Sequence, residues 1–400
     1  MPLSGYQAYL CDYARAGIII MGRAFIIAGE PSGDKLAAQL MQAAAPDITS
    51  WSGIGGPLMA EQGLPASPDY ELLHIIGLMD ALRSYRKLKG LLARLVDEAV
   101  RLRPDVIFTI DSKGFSLRFA REVKKRMQAE GWHAPIIHMV APTIWAYGEG
   151  RKHAFEQAFD AMLCLFPMEP ALFNQSELKT FFIGHPAAYS IKPKKRYYDE
   201  EDVLHLVLLP GSRRSEISKL LPAFLRSAAS LQKYNHLQIT IATLPHLEDK
   251  VRRGCKLIGV KADIVTGQDA LNEALDKAQI MMAASGTITL ETALSALPGL
   301  VGYRLNGMVT QIMKWRFKQP DPILPNIIYG RPIYPFFLNQ ELDGIKLTAA
   351  MTVLLTNYEE MQNKHLAQAQ KLQKILTADA ADFQTAIANA LISIGIKKGS

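Results

Sequence analysis

Side chains able to do chemistry recur in this chain at one kind of place, the turn between an apolar run and a helix-forming stretch. Asp111 follows Val106-Ile107-Phe108-Thr109-Ile110. A carboxylate at the carboxyl tip of a strand lines the ligand crevice of an open α/β sheet. There it can accept a proton from an attacking hydroxyl. The same residue also fits a helix cap, or an ion pair with Lys113. Residues 28–34, Ala-Gly-Glu-Pro-Ser-Gly-Asp, form a second such turn. Its converging backbone N–H groups suit an anion or sugar hydroxyls, although capping alone accounts for Asp34.

Further along, Leu209-Pro210-Gly211-Ser212-Arg213 leads into a helix with Glu216 near its start. Arg213 can grip phosphate oxygens in bidentate fashion. Ser285-Gly286-Thr287 ends another apolar run and opens a helix carrying Glu291. Hydroxyls and free N–H groups at a helix start suit a diphosphate, and Glu291, one turn on, can hold a ribose. A capping box is the other reading, but Thr287 to Glu291 is one residue too long for it. Gly53-Ile54-Gly55-Gly56 misses the dinucleotide spacing, because Leu58 stands where the third glycine belongs. That argues against a dehydrogenase and for a tight turn supporting a substrate site. No HxxxH, Walker A or Gly-x-Ser-x-Gly pattern occurs, so no metal site is expected. Residues 77–92 mix apolar positions with Arg83, Arg86, Lys87 and Lys89 at helical spacing. Such a helix is either a solvated face or a contact for an anionic lipid surface.

The elements that must position these turns read as strand, turn and helix, repeated. Continuous apolar runs at 24–28, 106–110, 135–140, 161–165 and 181–183 predict strands covered on both faces. A second set follows at 205–209, 238–242, 262–265, 280–284 and 300–303. The fold class is therefore α/β, with two Rossmann-like, doubly wound domains expected to face a central cleft. Expected domains are 21–190 and 203–345, joined by a polar linker at 191–202, with helices from 346 to 400 packing back on the first domain or a partner subunit. Residues 1–20 read as an optional extension, since Met21 directly precedes the first strand.

Composition agrees with a globular chain. Of 400 residues, 49% are hydrophobic and 21% charged, enough for two sizeable cores. A net charge of +7 suits an anionic partner without choosing among nucleotide sugar, acidic lipid and nucleic acid. Cys11, Cys164 and Cys255 are odd in number and far apart. A disulfide framework is not expected, and a reducing cytoplasm is. No apolar run reaches the ~20 residues of a spanning helix.

Nine features occur in order: AGEPSGD at 28–34, GIGGPLM at 53–59, Asp111, APTIWAY at 141–147, FIGHP at 182–186, LPGSR at 209–213, SGTITLE at 285–291, VGYR at 301–304 and LPNII at 324–328. Together they resemble the lipid-A-disaccharide synthase family. The resemblance implies a GT-B architecture and an inverting glycosyl transfer. UDP-2,3-diacylglucosamine would be the sugar donor and 2,3-diacylglucosamine 1-phosphate the acceptor. It implies no organic cofactor, no nucleic-acid partner, a peripheral place at the cytoplasmic face of the inner membrane, and a homodimer as one assembly. By position it implies Asp111 as general base. It places Arg213, Ser285, Gly286, Thr287, Glu291 and Asn326 on UDP, and Glu30, Ser32, Gly33 and Asp34 on the acceptor side. It also favours the lipid reading for Arg83, Arg86 and Lys87. The chain departs from the family where Gly114 replaces a second acid and Tyr147 a tryptophan. Other readings are another GT-B UDP-sugar enzyme (a cell-wall N-acetylglucosaminyltransferase or an epimerase) and a non-catalytic lipid- or nucleotide-binding protein.

Overall fold

A computed structural model of the chain describes residues 22–45, 47–74, 80–142, 150–174, 176–199, 201–305 and 323–396. The chain divides into two compact units, one running to His185 and resuming at Leu376, the other spanning Pro186–Ile375.

In the first unit the elements are β1 (Arg23–Ala28), α1 (Pro31–Ala44), β2 (Ser50–Ile54), α2 (Pro57–Ala60), α3 (Tyr70–His74), α4 (Asp80–Leu102), β3 (Val106–Ile110), α5 (Lys113–Glu130), β4 (Ile136–Met139), α6 (Gly150–Ala158), β5 (Ala161–Cys164) and β6 (Lys179–Phe182). The strands pair in parallel in the order β2-β1-β3-β4-β5-β6. Every residue of β3, β4 and β5 is buried, which is why these segments read as unbroken apolar runs. Phe25, Ile27, Ile107, Phe119 and Phe155 share one core, and the rings of Phe25 and Phe119 stack at 5.8 Å. Each such side chain contributes roughly 1.5–3 kcal/mol by leaving water.

The second unit repeats the plan with α7 (Pro186–Ser190), β7 (Leu204–Leu209), α8 (Arg214–Leu231), β8 (Leu237–Thr243), α9 (Glu248–Ile258), β9 (Asp263–Thr266), α10 (Gln268–Lys277), β10 (Ile280–Ala284), α11 (Ile288–Leu294), β11 (Gly299–Tyr303), α12 (Leu324–Tyr329), β12 (Phe336–Leu338), α13 (Gly344–Thr356) and α14 (Tyr358–Leu376). Its parallel sheet runs β12-β11-β10-β7-β8-β9 around a core that includes Leu208, Phe224, Ile241 and Met282. The chain then returns to the first unit as α15 (Phe383–Ile394). The Asp382 carboxylate caps α15 by accepting from Thr385 N at 2.7 Å, and the helix packs on α1.

The strand order reverses between β1 and β3 in one sheet and between β7 and β10 in the other. At such a reversal the two following helices leave on opposite faces, opening a crevice beyond the strand ends. The segment 191–202, expected as a linker, forms no regular element in its described residues and lies within the second unit. Arg196 within it is buried, and burial lowers the pKa of its guanidinium.

Candidate functional site

The first crevice lies over the ends of β1 and β3, which are paired through Ala28 and Ile110. Gly29 follows β1, and a Cβ there would meet Ser112 Oγ at 2.8 Å and Leu73 Cβ at 2.9 Å. Glycine is therefore what lets the two turns close on each other. On the β3 side, Asp111 and Ser112 both adopt left-handed backbone, with φ of 46° and 41°, and Val140 at the end of β4 has φ of 81°. Each costs about 1–3 kcal/mol and persists only where the surroundings enforce it. The surroundings are visible: Asp111 N donates to Met139 O at 3.0 Å, and Ser116 Oγ donates to Asp111 O at 2.9 Å. This kink leaves the Asp111 side chain half-buried. Among the described residues its carboxylate has no hydrogen-bond or ion-pair partner. Neither the cap nor the Lys113 pair is formed. The Lys113 ammonium instead acts on two buried groups, His138 and Glu169.

Glu30 and Ser32 are exposed at the start of α1, and Gly33 is buried beside Ala28 and Ile110. Asp34 is different. It is 2% exposed, and its carboxylate accepts from Gly56 N (3.0 Å), Leu58 N (3.0 Å) and Met59 N (3.1 Å). Asp34 thus caps α2 from a distance and fixes the glycine turn, with its charge directed inward. Gly56 is required for this, since a Cβ would lie 2.5 Å from Asp34 Oδ2. The Tyr70 hydroxyl also packs here. Burial first, then Asp34, Glu71 and Glu30, push its pKa up to about 12. Glu169, after β5, is 1% exposed and accepts from Leu165 N and Phe166 N, both at 3.0 Å. Burial outweighs those bonds and raises its pKa to about 7.

The second crevice carries the opposite charge. Gly211, with φ of 105°, turns the chain after β7. Glu216 Oε2 accepts from Ser212 N (3.1 Å) and Arg213 N (3.2 Å), so the Glu216 side chain organises the turn. Arg213 remains exposed, with Nη1 3.5 Å from Glu216 Oε1. Arg213, Ser215, Lys219, Tyr303 and Arg304 line one small pocket. Next to it in the sheet, β10 is followed by Ser285, whose N donates to Gly302 O at 3.2 Å. Gly286 and Thr287 are exposed, and a Cβ on Gly286 would meet nothing within 4 Å. Thr287 makes no side-chain cap to α11, and Glu291 on that helix is half-buried. A larger concavity, lined by residues including His205, Gln238, Asp263 and Lys277, sits towards the amino ends of β7–β9, remote from every motif.

Asn326 is 5% exposed and spent on backbone. Its Oδ1 accepts from Ile333 N (2.8 Å) and Tyr334 N (3.2 Å), and its Nδ2 donates to Tyr334 O at 3.1 Å. It holds Tyr334, whose hydroxyl donates to Leu297 O at 2.9 Å just beyond α11. In α4, Leu91, Leu95 and Val96 are buried in the core and Leu88 and Leu92 pack against it. Arg86 and Lys87 are exposed. Residues 77–79, the side chain of Arg83 and residues 143–147 of the APTIWAY segment lie outside the described part. Among the described residues no group of three His, Cys, Asp or Glu could hold a metal ion, and no helix is long and apolar enough to cross a membrane.

A sequence model of the family described as lipid-A-disaccharide synthetase matches residues 24–391. The chain belongs to the lipid-A-disaccharide synthase family. The family member from Rhodospirillum centenum is 33% identical over 351 residues, covering 85% of this chain and 86% of its own. The one from Idiomarina loihiensis is 31% identical over 374 residues, covering 89% and 96%. Among solved structures, Staphylococcus aureus MnaA with UDP aligns with a TM-score of 0.60 at 12% identity over 95% of this chain and 99% of that one. Acinetobacter baumannii MurG aligns at 0.56 and 13% identity over 93% and 99%. These likenesses establish the two-domain GT-B fold. As a lipid-A-disaccharide synthase relative, the chain is a glycosyltransferase of lipid A biosynthesis. Sequence reasoning passed over Lys219, Tyr70 and Glu169, and Arg304 only completed a motif. Glu169 sits in Phe166-Pro167-Met168-Glu169, five residues past the end of β5, and an acid in the turn that follows a strand was the available signal.

Proposed function

We propose that the chain condenses UDP-2,3-diacylglucosamine with 2,3-diacylglucosamine 1-phosphate, giving the β-1,6-linked disaccharide 1-phosphate and UDP. The observation that carries this reading is the division of charge between two crevices of like topology. One presents a half-buried carboxylate on a strained strand tip, and the other presents exposed arginines beside a helix start. Asp111 takes the proton of the acceptor 6-hydroxyl as its oxygen attacks the anomeric carbon. The bond from that carbon to the diphosphate oxygen breaks on the opposite face, inverting the centre, and its electron pair leaves with UDP. Arg213 and the N–H groups of Gly286 and Thr287 stabilise the charge that grows on the leaving diphosphate, while Glu291 holds the ribose. Glu30 and Ser32, on the exposed turn after β1, face the acceptor sugar. Gly33, Asp34 and Asn326 serve by position, through the backbone they hold.

Mass spectrometry of the product formed from both purified lipids tests this directly. Appearance of the disaccharide 1-phosphate and UDP is the expected result, and intact substrates after prolonged incubation would refute it. Both substrates carry acyl chains, so a bilayer contact is part of the proposal. The apolar face of α4 from Leu88 onward is committed to the core, which leaves the contact to charge. Replacing Arg83, Arg86 and Lys87 with Gln is expected to lower sedimentation with anionic vesicles but leave neutral vesicles unaffected.

A further inference from the structure

The helix that opens with the proposed diphosphate turn is short. α11 has seven residues, too few to hold a helical shape alone in water. Its far end is clamped by three buried side chains from separate segments. The Ser295 carbonyl accepts from Arg196 Nη1 at 2.6 Å, the Ala296 carbonyl from Gln362 Nε2 at 3.1 Å, and the Leu297 carbonyl from Tyr334 OH at 2.9 Å. Arg196 also donates from Nε to Ala278 O at 2.7 Å, just past α10, and from Nη2 to Leu275 O at 3.1 Å.

Every bond that Arg196 makes goes to a carbonyl. Asp276, the nearby acid, pairs instead with Lys194 at 2.8 Å. Among the described residues Arg196 has no carboxylate partner, although it is only 6% exposed. Asp276 acts on it only through space, and a cation with no carboxylate hydrogen-bonded to it is rare at that depth. It stands at the negative end of α11, where a cation reinforces the helix dipole. At about 1.5 Å per residue the Gly286 and Thr287 N–H groups lie ~12–14 Å along the axis from the Ser295 carbonyl that Arg196 holds.

We infer that Arg196 is a positioning residue for the sugar donor, holding α11 by its carboxyl end and lending the charge of its guanidinium to the diphosphate at the other. This rests on the reading that Ser285–Thr287 binds the diphosphate. A unit charge at that distance, through protein of effective dielectric about 20, changes affinity for a diphosphate by roughly tenfold after solvent screening.

Calorimetric titration of the full-length protein with UDP, UMP and uridine separates charge from bonding. Arg196→Gln is expected to weaken UDP roughly tenfold more than it weakens uridine, with UMP between the two. Arg196→Lys keeps the charge and loses the fork, and is expected to weaken UDP, UMP and uridine by one small common factor, without the graded loss. Gln362→Glu supplies an independent variant should Arg196→Gln fail to fold. Gln362 shares the Lys194 carbonyl with Arg196, at 3.5 and 3.3 Å, and its Oε1 is buried without a partner. A carboxylate there neutralises the guanidinium in place and is expected to reproduce the graded loss. Uniform weakening of UDP, UMP and uridine in all three variants would make Arg196 a structural clamp only and overturn the inference. Parental UDP affinity in both Arg196→Gln and Gln362→Glu would do the same. Failure of the parent to bind UDP would instead remove the donor-site reading itself.

Discussion

The two units share a scaffold and differ in what they mount on it. Each is a six-stranded parallel sheet whose order reverses once, and in each the proposed chemistry stands at the ends of the two strands flanking the reversal. In the first unit those ends carry Glu30 and Asp111, with two successive left-handed residues forcing Asp111 out of the strand line. In the second they carry Arg213 and the Ser285–Thr287 turn, and an ordinary glycine bend suffices. Strain accompanies the carboxylate that must present an unpartnered charge, whereas an exposed arginine needs none. On the proposed reading the fold supplies the crevice, and the residue types at its rim decide whether it takes protons or holds anions.

The largest effect expected on this contrast comes from Asp111→Asn. General base catalysis is typically worth roughly 10²–10⁴-fold, so turnover should fall by that factor. UDP affinity should not change, because the substitution lies in the first unit, whereas the proposed diphosphate turn belongs to the second. Unaltered turnover under saturating substrates would take Asp111 out of the mechanism and dissolve the contrast.

Glu169 sharpens the same contrast through pH. Its carboxyl ionises near 7 in the folded chain against an ordinary value of 4.5. The folded state thus holds a proton that the unfolded state has released across that window. Stability from this group is fully present below about 4.5 and is lost as pH rises towards 7, by about 3 kcal/mol at most. Glu169→Gln keeps an oxygen for the Leu165 and Phe166 amides and removes the titration. Urea midpoints of variant and parent should coincide near pH 4 and separate up to pH 8, with the variant the more stable. Parallel curves would show that Glu169 is not the buried acid described.

Asp34→Asn should follow at about 2–3 kcal/mol of lost stability, since an amide cannot serve three N–H donors as a carboxylate does. Near-parental urea resistance would return Asp34 to the crevice.

These residues also show what was legible beforehand. β1, β3 and β10 could be read because both faces of each are covered, which leaves a continuous apolar signature. β2 could not, because Ser50-Trp51-Ser52-Gly53-Ile54 is an edge strand with little to bury, and β12 has only three residues. Strand order was invisible, since pairing is set by tertiary packing. Among the proposed site residues, the placement of Asp111, Arg213 and Ser285–Thr287 at strand-end turns was legible, because such turns follow directly on an apolar run. Asp34 and Asn326 carried the same polar signature, yet their side chains turn towards backbone. Sequence does not record which way a side chain points. Arg196 was hidden among Lys194, Lys195 and Arg196, a run that reads as solvated although one of its three members is buried.

The smallest effect, and the one that most directly tests the second unit, belongs to Arg213. Its side chain is 76% exposed and its contact with Glu216 is long, so it adds little to folding. Arg213→Gln should leave the urea midpoint unchanged. Any role it has is therefore with a ligand. Losing a charge-assisted pair to the diphosphate should weaken UDP about tenfold. If the charge also stabilises the leaving group, kcat falls with the affinity, whereas a purely binding role raises only KM for the sugar donor. Acceptor KM should not move in either case. A rise in acceptor KM would place the arginine on the wrong substrate and undo the division of labour between the two crevices.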